Sequence, residues 1–95
     1  MTIRWSSAAR SELRALRKFI ARDSPYYADR MAARIIERVE RAAQHPEAGH
    51  PVHEYPEKPL REVHEIPYRI LYSVEGTTLY VVNLVHFKQR LPRQR

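Results

Sequence analysis

Residues 68–86 are patterned as a β-hairpin, and that feature limits the folds open to the chain more than any other. Tyr68, Ile70, Tyr72 and Val74 alternate with Arg69, Leu71 and Ser73, the period of a strand with one apolar and one mixed face. Glu75-Gly76 supplies a two-residue turn with glycine where a positive φ is wanted. Thr78–His86 returns as a strongly β-forming run, and its near-continuous apolar character predicts a central strand covered on both faces.

The first half of the chain has a different period. Thr2–Trp5 alternates and predicts a short first strand, with Ser6 or Ser7 placed to cap the helix behind it. Ala9, Leu13, Leu16 and Ile20 then fall on one helical face, with Arg10, Arg14 and Arg17 on the other. Asp23-Ser24-Pro25 closes this helix and opens a second, because proline suits the first helical position and pushes its predecessor out of helical geometry. Ala28, Met31, Ala32, Ile35, Val39 and Ala42 make the next apolar stripe. Two amphipathic helices with so short a link predict an antiparallel hairpin.

Pro46, Gly49, Pro51, Pro56 and Pro59 break the segment His45–Pro59, which is expected as a surface loop. Leu60–Ile66 can extend as a further strand. The predicted fold class is therefore α+β, in the order β-α-α-β-β-β. It has an antiparallel sheet with the helical hairpin packed on one face and the other face open as a working surface. With 95 residues the chain is one domain, 1–95.

Charge and composition narrow the partner. The formal net charge is +6 and arginine carries nearly all of it, since Lys18, Lys58 and Lys88 are the only lysines. A planar guanidinium fork matches phosphate and carboxylate, so the expected partner is anionic. With no cysteine, a disulfide scaffold and a thiolate metal site are excluded. The longest apolar run, Leu79–Val85, is far short of a membrane span, and the first six residues lack a signal-peptide core. A cytoplasmic protein without a membrane partner is expected. Three histidines, His45, His50 and His53, share the loop, but the prolines between them hold the imidazoles apart, so no metal and no cofactor is expected. On the second helix Arg30, Arg34, Arg38 and Arg41 recur about once per turn, where like charges cost about 0.2–0.5 kcal/mol per pair. Glu37 is expected to pair with Arg41. A solvated face and a docking surface for an acidic partner or a phosphate backbone both fit this stripe.

Several segments, in order, resemble the ParE/RelE superfamily of toxins. Ser7-Ala8-Ala9-Arg10-Ser11-Glu12-Leu13 resembles its small residues followed by an acidic-Leu pair, and His45-Pro46-Glu47-Ala48-Gly49 its Pro-x-x-Gly loop. Leu60-Arg61-Glu62 leads to Tyr68-Arg69-Ile70-Leu71-Tyr72, similar to the Tyr-Arg-hydrophobic-hydrophobic-Tyr strand of the family. Val85-His86-Phe87-Lys88-Gln89-Arg90-Leu91-Pro92 is similar to its closing His-x-x-x-Arg segment. The resemblance implies the toxin of a type II toxin-antitoxin (plasmid stabilisation) system, encoded beside an antitoxin that neutralises it. One branch poisons DNA gyrase by binding. The other, RelE-like, cuts mRNA on the ribosome. A homodimer and a toxin-antitoxin heterotetramer are both compatible.

RNA cleavage needs a base, an acid and positive charge at the phosphate. Under the nuclease alternative the resemblance assigns this work to Arg69, His86, Arg61 and Lys88. Gyrase-type relatives also carry the strand arginine and a histidine, so Arg69 is expected as a structural arginine bonded to a carboxylate or to loop carbonyls, and His86 does not discriminate. Glu62, His64 and Glu65, or Glu54 and Glu57 from the loop, are unconventional acid–base candidates. The departures favour the gyrase branch, with no catalytic residue. RelE-like nucleases bring lysines around the second strand and a late tyrosine, whereas this chain has Arg61-Glu62-Val63-His64-Glu65 and no tyrosine after Tyr80. YoeB-like nucleases end in His-Tyr, and this one has His86-Phe87. The expected contacts with antitoxin or target are Arg61, Arg69, Leu71, Tyr80, His86, Phe87, Lys88 and Arg90, within a basic tail that also holds Arg93 and Arg95. A nucleic-acid-binding domain with no toxic role is a third reading.

Overall fold

The computed structural model describes residues 1–92; Arg93 and Arg95 of the basic tail lie outside them. Strand β1 (Thr2–Trp5) leads into helices α1 (Ser7–Ala21) and α2 (Pro25–Gln44). Then come β2 (His50–Pro51), β3 (Arg61–Glu65), β4 (Tyr68–Glu75) and β5 (Thr78–His86). Ser6 caps α1 by accepting from the Ala9 N–H at 2.9 Å, and Ser24 caps α2 by accepting from Tyr27 at 3.1 Å, with Pro25 in the first turn. Both caps satisfy N–H groups that a helix start leaves unpaired.

The five strands form one sheet in the order β1-β5-β4-β3-β2. The expected α+β order holds, with two refinements. The sheet is mixed, because β1 runs parallel to β5 from Thr2↔Thr78 to Trp5↔Val81, while the other pairs are antiparallel. The loop expected between His45 and Pro59 also contributes the two-residue edge strand β2. The hairpin turn sits one residue later than its sequence suggests. Glu75 pairs with Thr78, so Gly76 and Thr77 form the turn, with Gly76 at φ +59°. Among the described residues no helix is long and apolar enough to cross a membrane.

One core fills the space between the helical hairpin and the sheet. Leu16, Met31, Ile35 and Val39 meet Val63, Tyr68, Ile70, Tyr72, Leu79, Val81 and Leu84. Fully burying one such aliphatic side chain stabilises by about 1.5–3 kcal/mol. The run Leu79–Val85 reaches this core through a shift of phase. Leu71 pairs with Asn83 and Tyr72 with Val81, leaving Val82 as an extra residue in β5. Leu79 and Val81 face the helices before the bulge and Leu84 after it. The bulge also disturbs the β5 edge just where β1 ends, and α1 repairs it. Ser6 donates its hydroxyl to the Val82 carbonyl at 2.7 Å, and the Glu12 carboxylate accepts the Leu84 N–H at 2.9 Å. The acidic-Leu pair at Glu12-Leu13 thus stitches helix to strand.

The opposite sheet face is only partly open. Val52, Leu71 and Val85 form a second, small buried cluster, with Tyr55, Leu60 and Leu91 packed on it. The Tyr55 hydroxyl donates to the Pro92 carbonyl, joining the loop to the end of the described chain. The loop therefore covers part of the face that its proline content alone leaves in solvent.

Tyr72 fixes where that loop begins. Its hydroxyl donates to the Pro46 carbonyl at 2.7 Å and accepts from the Gly49 N–H at 3.1 Å. Arg61 adds bonds to the carbonyls of Glu47 (3.2 Å) and Gly49 (2.7 Å). A Cβ at Gly49 would lie 2.3 Å from the Tyr72 hydroxyl oxygen, so this position admits glycine alone. Gly49→Ala is expected to destabilise the fold by about 1–3 kcal/mol through overpacking. Denaturant melts of Gly49→Ala, Tyr72→Phe and the double variant check this, the double variant losing less than the sum of the two.

Candidate functional site

Alternation along β4 sends Tyr68, Ile70 and Tyr72 toward the helices and Arg69 and Leu71 to the other face. Across the strands Arg69 stands beside His64 of β3 and Val85 of β5, and Leu71 beside Glu62. Arg69 is thus a charged side chain at the centre of a sheet and only 8% exposed. Such a group needs partners that replace its water.

Two carboxylates provide them. Glu62 accepts from Nε at 3.0 Å and from Nη2 at 2.5 Å, gripping one edge of the guanidinium. Glu54, from the loop, accepts from Nη1 and Nη2 at 2.8 Å each, gripping the adjacent edge. Both pairs are bidentate, the strongest geometry for this ion pair. His64 extends the cluster, its Nε2 lying 2.7 Å from Oε1 of Glu62. An ionised carboxylate can only accept, so His64 is the donor.

The electrostatics follow from these contacts. The hydrogen bonds from Arg69 hold the Glu54 carboxyl well below the usual range, at about 2. Burial disfavours ionisation of Glu62, but the bonds from Arg69 and His64 outweigh it and leave its pKa lowered. The same two carboxylates raise the pKa of Arg69. Burial raises that of Tyr68 and Tyr72.

A cleft of about 580 Å³ opens beside this cluster, lined by His53, Glu54, Arg69, Phe87, Lys88 and Arg90, with Gln89 and Leu91. Phe87, Lys88 and Arg90 are exposed there, and the Phe87 ring meets the His64 ring edge-on at 4.8 Å. Among the described residues neither Lys88 nor Arg90 makes an ion pair. The free positive charge of the cleft therefore comes from the segment after β5, because Arg69 is neutralised from within.

His86 is elsewhere. It pairs with Tyr68 across the strands, and the two rings meet edge-on at 5.5 Å on the helical side of the sheet. There His86 borders a second cleft of about 470 Å³, with Glu12, Ala15, Leu16, Phe19, Tyr68, Leu84 and Gln89. Its Nδ1 accepts from the Lys88 N–H at 3.0 Å.

The structure therefore separates the nuclease candidates. Arg69 and Lys88 border one cleft, His86 lies on the opposite face of the sheet, and Arg61 is engaged with loop carbonyls. Of the alternative acid–base groups, Glu54, Glu62 and His64 belong to the Arg69 cluster. Glu65 pairs with Tyr68 across the strands, and Glu57 is exposed on the loop. Among the described residues His45, His50 and His53 do not converge as metal ligands.

The expected contact residues also divide. Phe87, Lys88 and Arg90 are exposed, and Arg61, Tyr80 and His86 are half-buried. Leu71, 1% exposed, lies under the loop and Arg69 inside its ion pairs, so neither is presented while the loop is in place. Glu54 and Glu62, read from the sequence only as unconventional acid–base candidates, are instead the partners of Arg69, and Glu54 reaches it from a segment of no regular period. The one available signal was charge, since a strand arginine facing away from the helices implies acidic neighbours.

Residues 3–91 match the family described as ParE toxin of type II toxin-antitoxin system, parDE. No curated protein matches the chain in sequence. Among solved structures the fold is similar to a chain of the chromosomal ParDE TA system from P. aeruginosa, with a TM-score of 0.77 and 20% identity. That alignment covers 90% of this chain and 95% of the other.

Removing one partner of a buried ion pair strands the other charge, at about 3–5 kcal/mol. Arg69→Ala is accordingly expected to lose about that much stability in chemical denaturation, and Arg69→Met paired with Glu62→Gln to recover part of it. The cluster also sets the acid limit of the fold. Glu54 titrates lower folded than unfolded, so its contribution is complete above its ordinary value of 4.5 and is lost as pH falls toward about 2. Melts between pH 6 and 2 are expected to show a shallower acid loss for Glu54→Gln than for the parent.

Proposed function

The chain belongs to the ParE toxin family of type II toxin-antitoxin systems, and on that premise we propose that it arrests growth by binding DNA gyrase, with no chemistry of its own. A cognate antitoxin holds it inactive in the cytoplasm. The observation that carries this reading is the separation of His86 from Arg69, together with the commitment of Glu54, Glu62 and His64, which do gather there, to the ion-pair cluster of Arg69. RNA cleavage needs its base, acid and phosphate-binding cation around one phosphate. Here the Arg69 guanidinium is gripped on two edges by carboxylates, and His86 lies across the sheet from it.

The surfaces left for binding are the exposed Phe87, Lys88 and Arg90 beside the first cleft and the apolar groove bordered by Phe19, Leu84 and His86. An antitoxin segment that folds on contact suits such a groove, where an amphipathic helix buries its apolar side. The Lys88 and Arg90 charges steer an acidic partner toward the cleft and fix its orientation. Tyr80 and Arg61 are half-buried and line neither of these two surfaces.

Two assays on the purified chain separate binding from cleavage. Gyrase supercoiling is expected to be inhibited, and mRNA on translating ribosomes to stay intact. Lys88→Glu with Arg90→Glu is expected to weaken inhibition at least tenfold with the melting temperature retained. Ribosome-dependent cleavage that His86→Ala abolishes, with supercoiling untouched, overturns the proposal.

A further inference from the structure

The helical side of the molecule carries a charge pattern that neither the core nor the clefts use. Arg30, Arg34, Arg38 and Arg41 lie along α2, three of them exposed and Arg38 half-buried. The expected pairing of Glu37 with Arg41 does not form. Among the described residues none of the four arginines makes an ion pair with any carboxylate, whereas Arg17 of α1 pairs with Asp29 and Arg69 with two glutamates. Like charges one turn apart disfavour a helix. Glu37 and Glu40 stand among them, but among the described residues no ion pair closes to relieve the repulsion along the row.

We propose that the Arg30–Arg41 face of α2 is a binding site for the phosphate backbone of duplex DNA. Four guanidinium groups, the first and last eleven positions apart, form a line about 16 Å long at 1.5 Å per residue, and duplex DNA presents one phosphate charge per about 1.7 Å of axis. Guanidinium forks bind phosphate oxygens through two donors at once. A convex helix also has the right width for the major groove of B-form DNA, which A-form RNA does not offer to a side chain.

The neighbours of the row argue against other occupants. A protein interface has a core depleted of charge and rich in apolar anchors, yet none of the clefts that border the sheet is lined by these four arginines. Single strands are held on aromatic platforms between the cations. Between residues 30 and 41 there is no aromatic side chain; Tyr26 stands at one end only, with the Arg30 guanidinium 6.0 Å from its ring centre. The face also lies across the sheet from Lys88 and Arg90, so DNA and a protein target can be held at once. This inference stands apart from the gyrase reading, since DNA binding is measured without gyrase.

Fluorescence anisotropy with a labelled mixed-sequence duplex, titrated with the purified chain over a range of salt, provides the test. Binding is expected with a log–log salt slope of roughly −0.9 per phosphate contact, near −3.6 for four. Arg34→Gln with Arg41→Gln is expected to reduce that slope by about 1.8. Arg34→Lys with Arg41→Lys, which keeps both charges, leaves it near the parent value. Arg10→Gln with Arg14→Gln removes the same charge from α1 and is expected to change the slope by less than about 0.5. Equal losses from the two Gln pairs would mean net charge alone, and overturn the site. Competition by poly-glutamate as strong as by duplex would assign the face to an acidic protein, and equal affinity for a single strand would remove the duplex; either result overturns the proposal.

Discussion

A guanidinium at the centre of a sheet can stay only if something takes the place of water, and in this chain two glutamates do so for Arg69. Glu62 arrives from the neighbouring strand and Glu54 from a loop with no ladder of its own. Their grip holds the loop against the sheet, where Val52, Leu71 and Val85 close as a second small core. The ion pair and the apolar cluster therefore depend on each other. Water reaching Leu71 would loosen Glu54, and a displaced Glu54 would leave a buried cation half-satisfied.

Tyr72 plays the matching role on the helical side. Two bonds from its hydroxyl set the path of the chain after α2, and the close approach of Gly49 makes that path specific. The two recognisable motifs, Pro-x-x-Gly and the Tyr-Arg strand, are thus the two halves of one contact. Loop placement follows from β4, because Tyr72 holds its beginning and Arg69 its middle, from opposite faces of that strand.

Much of this was legible from residue order. The periods of α1 and α2, the break at Asp23-Ser24-Pro25, a serine cap at Ser6 or Ser7, and the hairpin through Gly76 all rest on local preferences that leave a pattern. The direction of β1 left none, since alternation in Thr2–Trp5 says which side faces the core and nothing about parallel or antiparallel pairing. The bulge at Val82 was hidden too, its phase shift making Leu79–Val85 read as uninterrupted apolar strand. For the site, Arg69 and His86 stood out by type and position. That they face opposite ways depends on the register of β4 against β5 after the bulge, which residue order alone does not set. Residues 3–91 match the ParE toxin family, and within that fold the Arg69 guanidinium is neutralised from inside by Glu54 and Glu62.

The state of that guanidinium is directly observable by nitrogen-15 NMR of the arginine side chains. The account predicts that the Arg69 Nε–H and Nη–H signals exchange slowly with water and show hindered rotation at neutral pH, unlike those of the exposed arginines. Substituting Glu54 by Gln is predicted to release the Nη signals first and the Nε signal least, because Glu62 holds that edge. An Arg69 that exchanges as fast as Arg34 would contradict the account and return a free cation to the cleft.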